Sequence, residues 1–260
     1  MATVGAVYDV RPAPRTPEDI FGSPNQPRVE PVAKNKWLTA SVVRDAAAVV
    51  AGVFDQAERR DPNHARTWVA LVDGNNHQID RIDKEAKARG ADVSIVVDLI
   101  HVMEYLWSAA WCFFEEADPA AEEWVRDRAV AVLEGGAKEV AAGIRRRASI
   151  GRLKAARRRN ADACADYLTN KAAYLDYPKA LSSGWPIATG VIEGACRHIC
   201  KDRMDLTGAR WGLEGAEAVL MLRTARSNGD FDEYFRFHLA RERDRVHASC
   251  YAGNVIPVAA

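Results

Sequence analysis

Two apolar runs in this chain each end in an aspartate. TWVALVDG runs up to Asp73, and DVSIVVDLIH runs up to Asp98 before it continues as a helix. Between them NNHQIDRIDKEAKARG is polar, rich in helix formers and closed by Gly90. Strand, helix, glycine and strand in that order predict two parallel neighbours joined by a crossover over residues 67–98. Open sheets of this kind bind ligands at the carboxyl ends of their strands, where both aspartates fall.

The rest of the pattern is mainly helical. TVGAVYDV (3–10) reads as a short strand, and the proline-rich RPAPRTPEDIFGSPNQPRVEP after it as a loop. From Thr39 a helical period is expected, with Val42, Val43, Ala46, Val49, Val50 and Phe54 on one face, ended by QAERRDPN. After Asp98, Val102, Tyr105, Leu106, Ala109 and Phe113 share the face of a long apolar helix. Residues 118–180 read as helical throughout, with a break at Gly135-Gly136. LSSGWPIATG is a loop, a helix near Val191 carries Glu193, DLTGARWG is a break, and helices are expected over 213–226 and 231–247.

Composition narrows the class. A chain of 260 residues with 48% hydrophobic and 28% charged residues should bury a core. The formal net charge is zero, so any attraction to nucleic acid must be local. One local signal exists: IRRRASIGRLKAARRR (144–159) holds eight basic residues and no acidic one. Five cysteines, an odd number, and the lack of a secretory-type start point to a reducing, cytoplasmic setting. LIHVMEYLWSAAWCFF is 16 residues long and carries His101 and Glu104, too short and polar to span a bilayer of about 30 Å.

The combination of Asp73, Asp98 with His101 three residues on, and a later helical Glu193 resembles the insertion-sequence transposases of the Kra type, a family of DDE transposases. The stretches that carry the resemblance are LVDGNNHQIDRI, DVSIVVDLIHVMEYLWSAAWCFF, GWPIATGVIEGACRHICKDRMDLTGARWG and NGDFDEYFRFHL. They occur in the family's order from about residue 3 to 247. The resemblance implies an α/β, ribonuclease-H-like core with a large all-helical insertion and a helical C-terminus. The implied division is 1–38 for the strand and proline-rich loop, 39–117 for the α/β core, 118–182 for the insertion, 183–230 for returning helices with the final Glu, and 231–260 for a helix and tail.

The resemblance further implies Mg²⁺ (or Mn²⁺) held by Asp73, Asp98 and Glu193, with His101 in the same catalytic group. The activity implied is DNA cleavage and strand transfer at insertion-sequence ends, where two metals stabilise the attacking and leaving oxygens. The insertion should stand out from the sheet domain and present Arg145, Arg146, Arg147, Arg152, Lys154, Arg157, Arg158 and Arg159 to DNA phosphates, with Trp185 stacking on a base. The implied partners are DNA and, for the full-length protein, further copies of itself, with no membrane. The only Asp-Gly, Asp73-Gly74, fits the family's later acidic motif. No Asp-Gly-Lys-Gly is present for the first strand. The expectation is therefore a C-terminal part of the catalytic region, a truncated or inactive copy, or a non-catalytic remnant that binds DNA or a transposase.

Plainer readings stand beside these. Asp73 and Asp98 can be helix N-caps. His101 can be a structural histidine, Glu193 a first-turn glutamate favoured by the helix dipole, and the basic run a solvated face. Cys196, His198 and Cys200 lack the spacing of a structural zinc pair. A metal-dependent phosphohydrolase would want an aspartate two residues after Asp73, where Asn75 stands.

Overall fold

Residues 2–22, 30–251 and 253 are described in a computed structural model. Part of the proline-rich loop (23–29) and most of the tail lie outside them. In chain order the elements are β1 (Thr3–Arg11), α1 (Pro17–Ile20), β2 (Val32–Ser41), α2 (Ala46–Arg60), β3 (Trp68–Val72), α3 (Asn76–Arg89), β4 (Val93–Val97) and α4 (Leu99–Ala110). There follow α5 (Pro119–Leu133), α6 (Ala137–Ile150), α7 (Ala155–Asn170), α8 (Tyr177–Ser182), α9 (Gly190–Ala195), a π-helical stretch Cys196–Lys201, α10 (Asp202–Met204), α11 (Leu213–Asn228) and α12 (Phe231–Val246). The class is mixed α/β. Strands pair as two separate two-stranded sheets, β1 with β2 and β3 with β4. No described helix is long and apolar enough to cross a membrane.

The chain divides into two units, residues 8–35 with 50–191, and residues 1–7, 36–49 and 192–260. The larger unit contains the expected crossover. β3 and β4 are parallel, with Trp68 opposite Val93 and Val72 opposite Val97. α3 ends where Gly90 takes a left-handed φ of 64° and its N–H closes on the carbonyls of Ala86 and Lys87.

Against β3 and β4 the helices α4 to α8 build one continuous core. Val72, Val97, Val102, Leu106, Val125, Leu133, Ile144, Leu168 and Tyr177 are among its fully buried members. α7 packs on α4 and α6, and α5 packs on α4. The expectation of helices 118–182 standing out from the sheet is therefore corrected. One face of α5 (Ala121, Val125, Ala129, Val132) and one face of α7 (Ala161, Cys164, Ala165, Leu168) are buried, and both helices pack on α4 and α6. Cys112 and Cys164 sit in this core, and burial, with the neighbouring Cys112, pushes the Cys164 thiol up to about 12.

A second correction concerns residues 32–54. β2 continues to Ser41, and the helix starts only at Ala46. Between them Ser41 Oγ accepts from the Arg44 N–H at 2.8 Å, and Asp45 Oδ1 accepts from the Ala48 N–H at 2.7 Å. Ser41 holds the turn that leads into the helix, and Asp45 satisfies one of the helix's first N–H groups and so fixes its start. α1 is a third departure, a single turn within the stretch read as loop; the Asp19 carboxylate accepts the Thr16 N–H at 2.7 Å.

The smaller unit packs α11 through Ala216, Leu220 and Thr224. Its Glu217 accepts from Ser41 Oγ at 2.8 Å and from the Val42 N–H at 2.8 Å, and Asn228 exchanges hydrogen bonds with the Leu38 backbone. α11 stops at Gly229, whose φ is 86°. α12 follows and buries none of its own side chains.

Candidate functional site

The ladder between β3 and β4 runs one step past the strands, with the Asp98 N–H donating to the Val72 carbonyl at 2.8 Å. Asp73 and Asp98 thus leave the sheet side by side at its carboxyl end, as the crossover pattern predicts. Their side chains meet different fates. Asp73 is exposed, and its Oδ1 accepts only the Asn75 N–H at 2.8 Å. It is Asn75 that caps α3, accepting from the His77 N–H at 2.9 Å. Asp98 is itself the N-cap of α4, accepting from the Ile100 N–H at 2.7 Å. Its second oxygen accepts the Thr189 N–H at 3.0 Å and the Thr189 hydroxyl, and Asp98 has no exposed surface.

The next peptide repeats this tie. The Leu99 N–H donates to the Ile187 carbonyl at 2.8 Å, so the loop 185–189 is bound to the start of α4 at two successive residues. The sealed carboxylate is balanced by N–H and O–H donors and by the positive end of α4.

Beside Asp73 a cleft of about 620 Å³ opens, lined among others by Asp73, Asn76, His101, Glu104, Tyr105, Ser108, Tyr167 and Lys171. Gly74 makes room for one wall. Its φ is 90°, and a Cβ there would lie 2.5 Å from the Tyr167 hydroxyl. That hydroxyl donates to the Asp73 carbonyl at 3.1 Å, and the Tyr167 ring stacks on Tyr105 with centroids 4.0 Å apart. Burial, then the nearby Tyr105 and Asp73, push the Tyr167 phenol well above its ordinary range. His101 Nδ1 lies 3.0 Å from Glu104 Oε2, so the partner of His101 is Glu104 rather than Asp98. Lys171 is hydrogen-bonded to the Asn76 side chain.

The cleft thus offers two carboxylates, an imidazole, an ammonium group and a phenol, a surface able to engage a polar or charged ligand. Asp98 does not line it. A magnesium ion shared by Asp73 and Asp98 does not fit this arrangement, because both oxygens of Asp98 are engaged and buried. Among the described residues, no three His, Cys, Asp or Glu side chains form a group able to hold a metal.

Glu193 lies in the smaller unit, exposed in the first turn of α9. In the same unit His198 Nδ1 lies 2.5 Å from the Gly194 carbonyl oxygen, and Nε2 faces Ser227 Oγ. Those contacts commit the imidazole to its own helix and to α11, not to Cys196 and Cys200.

The basic run splits in two. Arg147 lies over Phe113 and Phe114, its guanidinium carbon 4.8 and 4.5 Å from the ring centres, and burial together with Arg128 lowers its pKa. Arg145 pairs with Asp166 at 2.5 Å, Arg158 with Asp162 at 2.9 Å and Arg157 with Glu115 at 3.2 Å. Arg146, Arg152, Lys154 and Arg159 are exposed and have no carboxylate partner among the described residues. Trp185 is half-buried, packed against the core with Lys179 over its ring.

Tyr105, Glu104, Tyr167, Lys171 and Thr189 carry no site expectation from the sequence. Tyr105 and Glu104 sit one turn beyond His101, and that spacing is the one signal that could have found them. No family model matches the chain, and no curated protein or solved structure matches it.

Proposed function

We propose that this chain derives from a DDE transposase of the Kra type and acts as a non-catalytic DNA-binding protein. In this reading β3, α3, β4 and α4 are the second half of a ribonuclease-H-like core. The observation that carries it is the pair of adjacent parallel strands ending in Asp73 and Asp98, with His101 one turn into the helix that follows. What favours a non-catalytic form over strand transfer is the sealing of Asp98 by Ile100 and Thr189. The DNA contact falls to Arg146, Arg152, Lys154 and Arg159, since each of the other four basic side chains of the run already has a carboxylate or aromatic partner within the chain. Arg and Lys in such a role neutralise phosphates and read no sequence.

The test is fluorescence anisotropy with duplex DNA across a range of salt. Replacing the four solvent-facing residues by Gln should weaken binding and flatten the log–log salt slope by about 3 to 4, near 0.9 for each phosphate no longer neutralised. A slope unchanged by those replacements removes the run from the interface. In a cleavage and strand-transfer assay with Mg²⁺ or Mn²⁺, the chain should leave insertion-sequence ends intact. Efficient cutting that Asp73→Ala abolishes would overturn the non-catalytic reading and return the chain to the active transposases.

A further inference from the structure

Cys196 and Cys200 stand four residues apart on the π-helical stretch Cys196–Lys201, both half-buried and both free thiols. Residues at that spacing share one flank of a helix, with Cβ atoms about 5–6 Å apart. The wider turn of a π-helix, a rare form that gathers at functional sites, keeps them in one row. A disulfide needs its Cβ atoms roughly 3.5–4.5 Å apart, so the pair cannot close one without moving the backbone. Two sulfurs on opposite sides of a metal ion are spaced differently. With bonds of about 2.3 Å, as in zinc thiolates, they stand about 4.6 Å apart. Thiols on this row reach that separation by turning about χ1.

The donor set decides which ion. His198 lies between the two cysteines in sequence, but its nitrogens face the Gly194 carbonyl and Ser227 Oγ. Among the described residues no third His, Cys, Asp or Glu completes a group able to hold a metal. Zinc, which takes four ligands, is not served by two thiols. Cu(I) is selected by soft thiolates, and two of them in line satisfy it.

The charges nearby agree. Two thiolates around one monovalent cation leave a single negative charge. Lys201 favours the thiolate at Cys196, and Arg223 favours it at Cys200. Arg223 is held in place by the His198 carbonyl, which accepts from its Nε at 3.0 Å. In the metal-free chain burial comes first and raises both thiols, helped by Glu193 at Cys196 and by Cys196 itself and Asp205 at Cys200. Thiols raised in this way resist alkylation and disulfide exchange, so they stay available to a thiophilic ion.

We propose that Cys196 and Cys200 form a two-coordinate dithiolate site for Cu(I). On binding, the two S–H protons pass to solvent as two Cu–S bonds form, and the copper keeps its oxidation state.

The test is a titration of the reduced full chain with Cu(I) under nitrogen, in competition with the chelator bathocuproine disulfonate. The chain should withdraw one equivalent of copper, and X-ray absorption should show two sulfur neighbours and no nitrogen. Cys196→Ser and Cys200→Ser should each weaken binding by more than ~100-fold, beyond what loss of an outer-sphere partner costs. Cys250→Ser and Cys164→Ala, remote from the pair in sequence, should leave the affinity within about twofold. Circular dichroism checks that each variant is folded. Failure to withdraw copper overturns the proposal, as does copper held equally well by both Cys196→Ser and Cys200→Ser. A nitrogen neighbour in the absorption spectrum would bring in His198 and overturn the two-coordinate site.

Discussion

Asp73 and Asp98 occupy equivalent places at the ends of two paired strands, and their surroundings make them opposites. Asp73 is followed by Gly74 and Asn75, so the chain makes a further turn before α3 and another residue does the capping. Asp98 is followed directly by the helix and must cap it. Once turned toward its own helix, it also meets Thr189 from the loop ahead of α9. The strand pattern dictates where a carboxylate leaves a sheet. The next one or two residues of the chain decide whether that carboxylate faces solvent or closes the structure.

The contrast can be broken by substitution, read in chemical denaturation. Asp98→Ala has the largest expected effect, a loss of about 3 kcal/mol, from a missing N-cap and from the Thr189 amide and hydroxyl left without an acceptor. Gly74→Ala comes next, at about 2 kcal/mol, because a side chain at positive φ is strained and the new Cβ displaces Tyr167. Thr189→Val should cost about 1 kcal/mol, the value of one hydrogen bond. Added to Asp98→Ala it should cost little more, since the acceptor is already gone. Asp73→Ala should stay within about 0.5 kcal/mol, as expected of an exposed side chain. If Asp73→Ala proves as damaging as Asp98→Ala, the distinction between the two strand ends collapses.

Much of the architecture was legible in the sequence, and the reasons are local. The crossover was marked by Gly90 and by two apolar runs of strand length. α11 and α12 were separated by Gly229, which ends one helix in a left-handed turn just before the next begins. β2 was missed because VAKNKWLTAS does not alternate cleanly and because Val42, Val43, Ala46 and Val49 mimic a helical face. The start signal was present in Ser41 and Asp45, residue types that cap helices. The site was less legible. Thr189 is remote in sequence from Asp98, so no window could join them, and Tyr167 reaches the Gly74 turn from α7. The basic run looked uniform in sequence, yet four of its members have a carboxylate or aromatic partner within the chain and four have none among the described residues. That division comes from where Phe113, Phe114, Glu115, Asp162 and Asp166 stand in the fold, which a charge count does not register.

The burial of Cys164 on α7 has a kinetic consequence. A thiol held near pH 12 and walled off by α4 and α6 has almost no thiolate at neutral pH and no path for a reagent. It reacts with an alkylating agent only when those helices separate. Cys250, on the exposed surface of the other unit, is open to the same reagent in the folded chain. One labelling time course, resolved by peptide mass, therefore carries its own internal standard. The Cys250 rate gives the reactivity of an accessible thiol. The Cys164 rate divided by it gives the fraction of time that the core of the larger unit stands open.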